Sequence, residues 1–142
     1  MKTKSILLLI VALFLFGGMG CEKKENTTPP TLVGSWKCIG FGDTKTGEVK
    51  EIEPKDCDKC YTITFKDDGT LSGQSSTNEI SGEYLLIQKS IQILRLGGTK
   101  INELFDGNLY IESLQNISKY EIKSGELKLF YTDQNYLLFK KI

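Results

Sequence analysis

From Leu32 to Ile142 the chain is a succession of short runs in which apolar and polar side chains alternate, each closed by glycine or by Asp and Asn. Alternation with a period of two puts one set of side chains on each face of a strand, so runs of this kind fold as antiparallel sheet with one face buried. Gly34–Phe41 places Trp36 and Cys38 on one face. Tyr61–Phe65 sends Tyr61, Ile63 and Phe65 inward and two threonines outward, and Lys66-Asp67-Asp68-Gly69 turns it back into Thr70–Gly73, because Asp-Gly supplies the positive φ of a tight hairpin. Gly82–Gln88 and Ile91–Leu96 form a second predicted hairpin across Lys89-Ser90. Ile117–Lys123, Glu126–Thr132 and Tyr136–Lys141 form a meander joined at Ser124-Gly125 and Asp133–Asn135.

One stretch breaks the rhythm. In 106–116 the apolar residues Tyr110 and Leu114, with Ile117 beyond, fall at helical spacing, and the Asp106 side chain is placed to cap the free amides of a first turn. The reading is therefore α+β, mainly β: a single curled antiparallel sheet or open barrel of seven to eight short strands with one helix packed against it. The 111 residues from Leu32 suffice for one domain, expected to be monomeric.

The chain contains no histidine. That excludes Ser-His-Asp and Cys-His catalytic sets and His-ligated metals. Charge is equally restrained: without Lys2 and Lys4, 16 basic side chains face 18 acidic ones, a formal −2. Such a balance, with no Lys/Arg cluster, gives no footprint for nucleic acid. No cofactor or metal is expected. Asp67-Asp68-Gly69 reads as a turn, and Asp56 and Asp58 lack the spacing of a calcium loop.

The first twenty residues have the anatomy of an export signal. Lys2 and Lys4 precede an apolar run, Ile6–Phe16, too short to span a bilayer stably, and small residues follow. Gly18-Met19-Gly20-Cys21 resembles the lipobox of bacterial lipoproteins, which implies cleavage before Cys21 and acylation of that residue. Several acyl chains on one residue, each contributing roughly 0.8 kcal/mol per buried methylene, hold a protein firmly to the lipid bilayer. The expected place is the bacterial cell envelope, and Glu22 after the cysteine favours the outer membrane. Residues 21–31 then form a lipidated terminus and a polar, Pro29-Pro30-terminated tether reaching about 30 Å. The organisation is 1–20 signal, 21–31 anchor and tether, 32–142 domain.

In that domain the order of elements resembles the META-domain family of bacterial envelope proteins, which includes a heat-inducible outer-membrane lipoprotein. The likeness rests on Leu32-Val33-Gly34-Ser35-Trp36, on Phe65 with Asp68-Gly69 and Gly73, on Asn78 to Gly82-Glu83-Tyr84, on Thr99-Lys100-Ile101, and on Ile117–Ile122 leading into Leu127–Leu129. It singles out Trp36, Gly69, Gly73, Asn78, Gly82, Tyr84 and Thr99. The chain departs from the family where cysteines often stand, with Ser76-Thr77 before the asparagine and Glu103 after the threonine, so a bridge made there is missing. A lipocalin-like barrel is the competing fold, since a Gly-x-Trp on the first strand is shared with lipocalins.

With Cys21 committed to lipid, Cys38, Cys57 and Cys60 remain as disulfide candidates in an oxidising compartment. Cys57-Asp58-Lys59-Cys60 is a C-x-x-C, but it precedes a strand rather than opening a helix in a βαβ unit, so it reads as structural and not as a redox site. A bridge from Cys38 to Cys60, preferred over one to Cys57, would close the polar loop 42–56 and leave one thiol free or paired with another molecule. Tyr61, Phe65, Tyr84, Tyr120, Phe130, Tyr131, Tyr136 and Phe139 read as core, or else as the lining of a ligand cup. Together these features describe a non-catalytic envelope module that meets another envelope protein or a peptide; a carrier of a small apolar ligand is the alternative.

Overall fold

A computed structural model describes residues 31–142; the signal, the Cys21 anchor and nearly all of the tether lie outside the described residues. Nine strands and one helix follow in the order β1 (Gly34–Asp43), β2 (Val49–Glu51), β3 (Thr62–Phe65), β4 (Thr70–Gln74), β5 (Glu79–Ile87), β6 (Ser90–Gly98), α1 (Gly107–Gln115), β7 (Lys119–Lys123), β8 (Glu126–Phe130) and β9 (Asn135–Lys141). All pairings are antiparallel and belong to one sheet, ordered β2-β1-β3-β4-β5-β6-β7-β8-β9. The sheet curls until β1 also pairs with β9.

β1 makes this curl possible because it serves three partners. Its Gly34–Lys37 half pairs with β3 and its Gly40–Gly42 part with β2, while β9 runs along the opposite edge from Trp36 to Asp43. The register shifts between Cys38 and Gly40, a bulge that bends the strand. Ile39 thereby packs with Phe130, Tyr136 and Leu138 in a small outer cluster, while Trp36 and Cys38 join the main core.

The interior is filled with side chains. Tyr61, Ile63, Tyr110, Leu114, Leu127, Leu129, Leu137 and Phe139 have no measurable exposure. Tyr110 from α1 stands edge-on to Tyr61, ring centroids 5.2 Å apart, and lies 6.3 Å from Phe139. Phe65 and Tyr84 make a second edge-on pair at 5.0 Å, a favoured aromatic geometry. Trp36 is buried, and its indole N–H donates to Leu32 O at 2.8 Å. Of the aromatics read as core, Tyr120 and Tyr131 are only half-buried. A compound carried inside the sheet would have to displace these rings.

Several expectations need correction. The described residues form nine strands, because Val49–Glu51 pairs with Gly40–Gly42 although all three of its residues are exposed and show no alternation. The second hairpin turns at Gln88-Lys89, one residue early, with Gln88 at φ +56° and Ile87 opposite Ser90. Asp106 precedes the helix but makes no side-chain cap; its Oδ2 accepts from Glu53 N at 2.9 Å instead. The disulfide joins Cys57 to Cys60, not Cys38 to Cys60. Cys38 is a free, fully buried thiol whose pKa desolvation pushes up to about 12. It is held inside by its place opposite Phe139, while the Cys57–Cys60 loop closes on itself and is clasped by the Lys37 ammonium, which donates to the carbonyls of Cys57, Asp58 and Cys60.

Candidate functional site

The residues singled out from the sequence divide into scaffold and site. Gly69 supplies a positive φ of +84° to the β3–β4 turn. Gly73 and Gly82 permit close strand approach: a Cβ on either would lie 2.0 Å from a backbone oxygen, Thr62 O and Arg95 O respectively. Tyr84 is buried and its hydroxyl donates to Lys66 O. These positions, with Trp36, shape the sheet. Asn78 and Thr99 do something different, and the structure brings them together.

Ser75–Asn78 is the tight link between β4 and β5. Ser75 and Asn78 are buried, so their polar atoms must find partners within the protein. Asn78 finds four. Its Nδ2 donates to Ile101 O at 2.7 Å and to Glu103 Oε1 at 2.5 Å, and its Oδ1 accepts from Ile101 N at 2.8 Å and from Thr99 Oγ1 at 2.9 Å. The Asn78 amide thus mimics a backbone strand partner for Ile101. Glu103 closes the arrangement from the other side. Its two oxygens accept from Ser75 Oγ, Ser76 Oγ, Thr77 N and Asn78 Nδ2. Burial by itself would raise the Glu103 pKa, but these four donors outweigh it and hold the carboxyl below its ordinary value.

Glu103 was read only as a departure from the family's cysteines. It accepts from Ser76 and Thr77, the other departing positions, so hydrogen bonds to a carboxylate join these two segments. That coincidence of two departures was the one signal in the sequence that pointed to it.

The clasp fixes the segment 99–106, which carries exposed apolar side chains. Ile101, Leu104 and Phe105 are 61%, 58% and 71% exposed, and Leu109 on α1 is 42%. Phe105 holds φ +52°, a conformation costly for a bulky residue, and it is retained between Leu104, whose N–H donates to Ser76 Oγ at 3.1 Å, and Asp106, whose carboxylate binds Glu53 N.

Beside the clasp lies a groove of about 460 Å³ between the end of β6 and α1. Ile80, Leu96 and Ile111 give it an apolar floor, Asn78, Thr99 and Glu103 close one end, and Lys100 and Glu112 stand on its walls. A second groove of about 460 Å³ continues along Ser90–Ile93 toward Asn116–Ser118, and Gln115 borders both. Among the described residues no group of three or more acidic or cysteine side chains is placed to hold a metal ion. The site offers shape, apolar surface and hydrogen-bonding groups.

The chain is 32% identical to a Tannerella forsythia protein named "Putative lipoprotein", over 99% of its own length and 97% of that protein's. Its fold is like that of a Burkholderia xenovorans protein solved by NMR, with a TM-score of 0.61 at 21% identity over 77% of this chain and 81% of that one. A crystal structure of a Bacteroides vulgatus protein of the DUF4847 family matches with a TM-score of 0.58 at 22% identity, over 75% and 91% of the two chains. Residues 31–142 match the META domain model, covering every strand and the helix described above, and the chain belongs to the META-domain family.

Proposed function

We propose that this chain is a lipid-anchored, non-catalytic binding module of the bacterial envelope, attached through acylated Cys21 and working through the groove between β6 and α1. The observation that carries the reading is that Asn78 and Thr99 are spent on positioning the groove's end wall and an apolar loop rather than on chemistry. The likeness to a protein named as a lipoprotein along nearly its whole length supports the anchor, as does the Gly-Met-Gly-Cys sequence. Glu22 after Cys21 favours attachment to the outer membrane. The filled interior favours binding at the surface over carriage of an apolar ligand within the sheet.

A photo-crosslinking residue placed at Glu112, in cells carrying the full chain, tests the reading. The expected result is a discrete adduct that is absent when the same residue replaces the exposed Lys45. Equal labelling from both positions would overturn it. In the same strain labelled palmitate should mark the protein, and Cys21→Ser should abolish both the label and membrane fractionation.

A further inference from the structure

Resting on the groove as the binding site, we infer that its occupant is an extended polypeptide segment that adds to β6 as a tenth strand. β6 is paired with β5 from Ser90 to Gly98, but its other edge meets β7 only at Ser90 opposite Lys119, flanked by the bonds Ile91 N to Ser118 O and Tyr120 N to Lys89 O. Beyond Ile91 the edge has no strand beside it among the described residues. The direction of its free groups follows from one bond. Thr99 N donates to Glu79 O on the β5 side, so by alternation Gly97 and Arg95 also face β5, while Leu96 and Gly98 present N–H and C=O to the groove. Tyr84 N donating to Gly69 O fixes the same phase from the other side, since it turns Gly82, the partner of Leu96, toward β4.

A row of unpaired backbone donors and acceptors is satisfied by another backbone, which a lipid tail or a sugar does not provide in register. The groove suits such a guest. Leu96 and Ile80 line it on the sheet side and Ile111, Glu112 and Gln115 on the α1 side, and the second groove takes up the edge again at Ser90–Ile93.

Three occupants can be distinguished. The tether of this chain is a poor one: it leads into β1, which three strands separate from β6 whichever way round the sheet is followed. Its sequence also ends in Pro29-Pro30, which removes two donors. A second copy pairing β6 with β6 about a two-fold near the centre of the strand would bring two Arg95 side chains together, each 81% exposed and already only loosely paired to Glu83 at 4.0 Å. A strand from a different protein meets neither obstacle. Glu112 on the α1 wall makes no ion pair among the described residues and Lys100 stands at the clasp end, so the fitting guest alternates apolar and polar residues, with a basic side chain toward α1 and an acidic group toward Lys100. The bulge at Leu94 and Gly97-Gly98 limit the paired stretch to a few residues on either side of Leu96.

The full chain, purified in detergent, is applied to an array of seven-residue peptides that alternate valine with threonine, lysine or glutamate. The expected result is binding concentrated in peptides carrying lysine where Glu112 faces them, slowed hydrogen exchange at the amides of Leu96 and Gly98, and about a tenfold or greater loss with Leu96→Pro, which deletes the outward N–H. Leu96→Ala, which keeps the amide, should lose less than Leu96→Pro, and unchanged thermal unfolding of Leu96→Pro verifies its fold. If Leu96→Pro unfolds, the exchange pattern at Leu96 and Gly98 decides alone. No binder in the array, binders indifferent to Leu96→Pro, or exchange protection confined to 101–109 would each overturn strand addition. The last two outcomes leave the groove or its rim as a binding site, whereas failure of the Glu112 crosslink removes the site itself.

Discussion

Truncating Asn78 to alanine should unfasten the segment 99–106 and cost about 2 to 4 kcal/mol of stability. Four hydrogen bonds disappear, two of them to the backbone of Ile101 and one each to Thr99 and Glu103. At a net contribution of about 1 kcal/mol each, with more for the one made to a carboxylate, the sum is near 4 kcal/mol. Ile101 itself is 61% exposed, so water can reach its backbone groups and recover part of the loss, which sets the lower figure. For a domain of this size the change corresponds to roughly 8 to 16 °C in melting temperature. Urea titration at constant m measures it, and hydrogen exchange locates it: amides of 99–106 should exchange faster than those of β3 and β4. Asn78→Asp sharpens the test, because it places a second carboxylate against Glu103 Oε1 and should be worse than alanine at pH 7 but not at pH 4. A loss below about 1 kcal/mol for Asn78→Ala, at unchanged m, would refute the view that this side chain fastens the loop.

Three further outcomes follow from the same geometry. Glu103 has its folded pKa below its unfolded one, so its contribution is present above the ordinary carboxylate range and is lost as pH falls through the lowered folded value; Glu103→Gln should flatten that acid limb in a pH series of urea midpoints. Gly82→Ala should cost about 3 kcal/mol or prevent folding, since its Cβ would sit 2.0 Å from Arg95 O, whereas Gly97→Ala, with nothing within 4 Å, should leave the melting temperature unchanged. In the native full chain without reductant Cys38 should resist iodoacetamide at pH 8, react once the protein is denatured, and remain the one alkylated position of the domain until the Cys57–Cys60 bond is reduced; that short bridge should contribute about 2 kcal/mol.

Period-two alternation made most of the strands readable, because burying one face of a sheet leaves its mark on every second residue. Tyr61, Ile63 and Phe65 are buried as that pattern requires, and the helical spacing of Tyr110 and Leu114 marks the face that α1 buries, while Ile117, also buried, lies just past the helix end. What escaped was whatever depends on a partner distant in sequence. Val49–Glu51 is a strand because Gly40–Gly42 lies beside it, with no alternation of its own. Asp106 has the composition of a cap, yet the amide of Glu53, far away in sequence, competes for its carboxylate and wins. The disulfide was misassigned because a preference for closing a long loop ignored the facing of Cys38, which the curl of β1 commits to the interior.

The groove shows why a site can be harder to read than a fold. Its walls are a strand edge left open, a helix laid beside it, and a loop held by Asn78, Thr99 and Glu103. None of these has a local pattern, because an unpaired edge has the same residues as a paired one. Glu103 in particular looks like any solvated carboxylate until Ser75, Ser76, Thr77 and Asn78 are found around it. A carboxylate clasp differs physically from a covalent bridge between the same segments. It is insensitive to reductant, it weakens as protons arrive, and it can open without breaking a covalent bond. Should a guest strand add along β6 as proposed, Asn78 and Thr99, bonded to each other and to Ile101, would hold the end wall of the groove against which it docks.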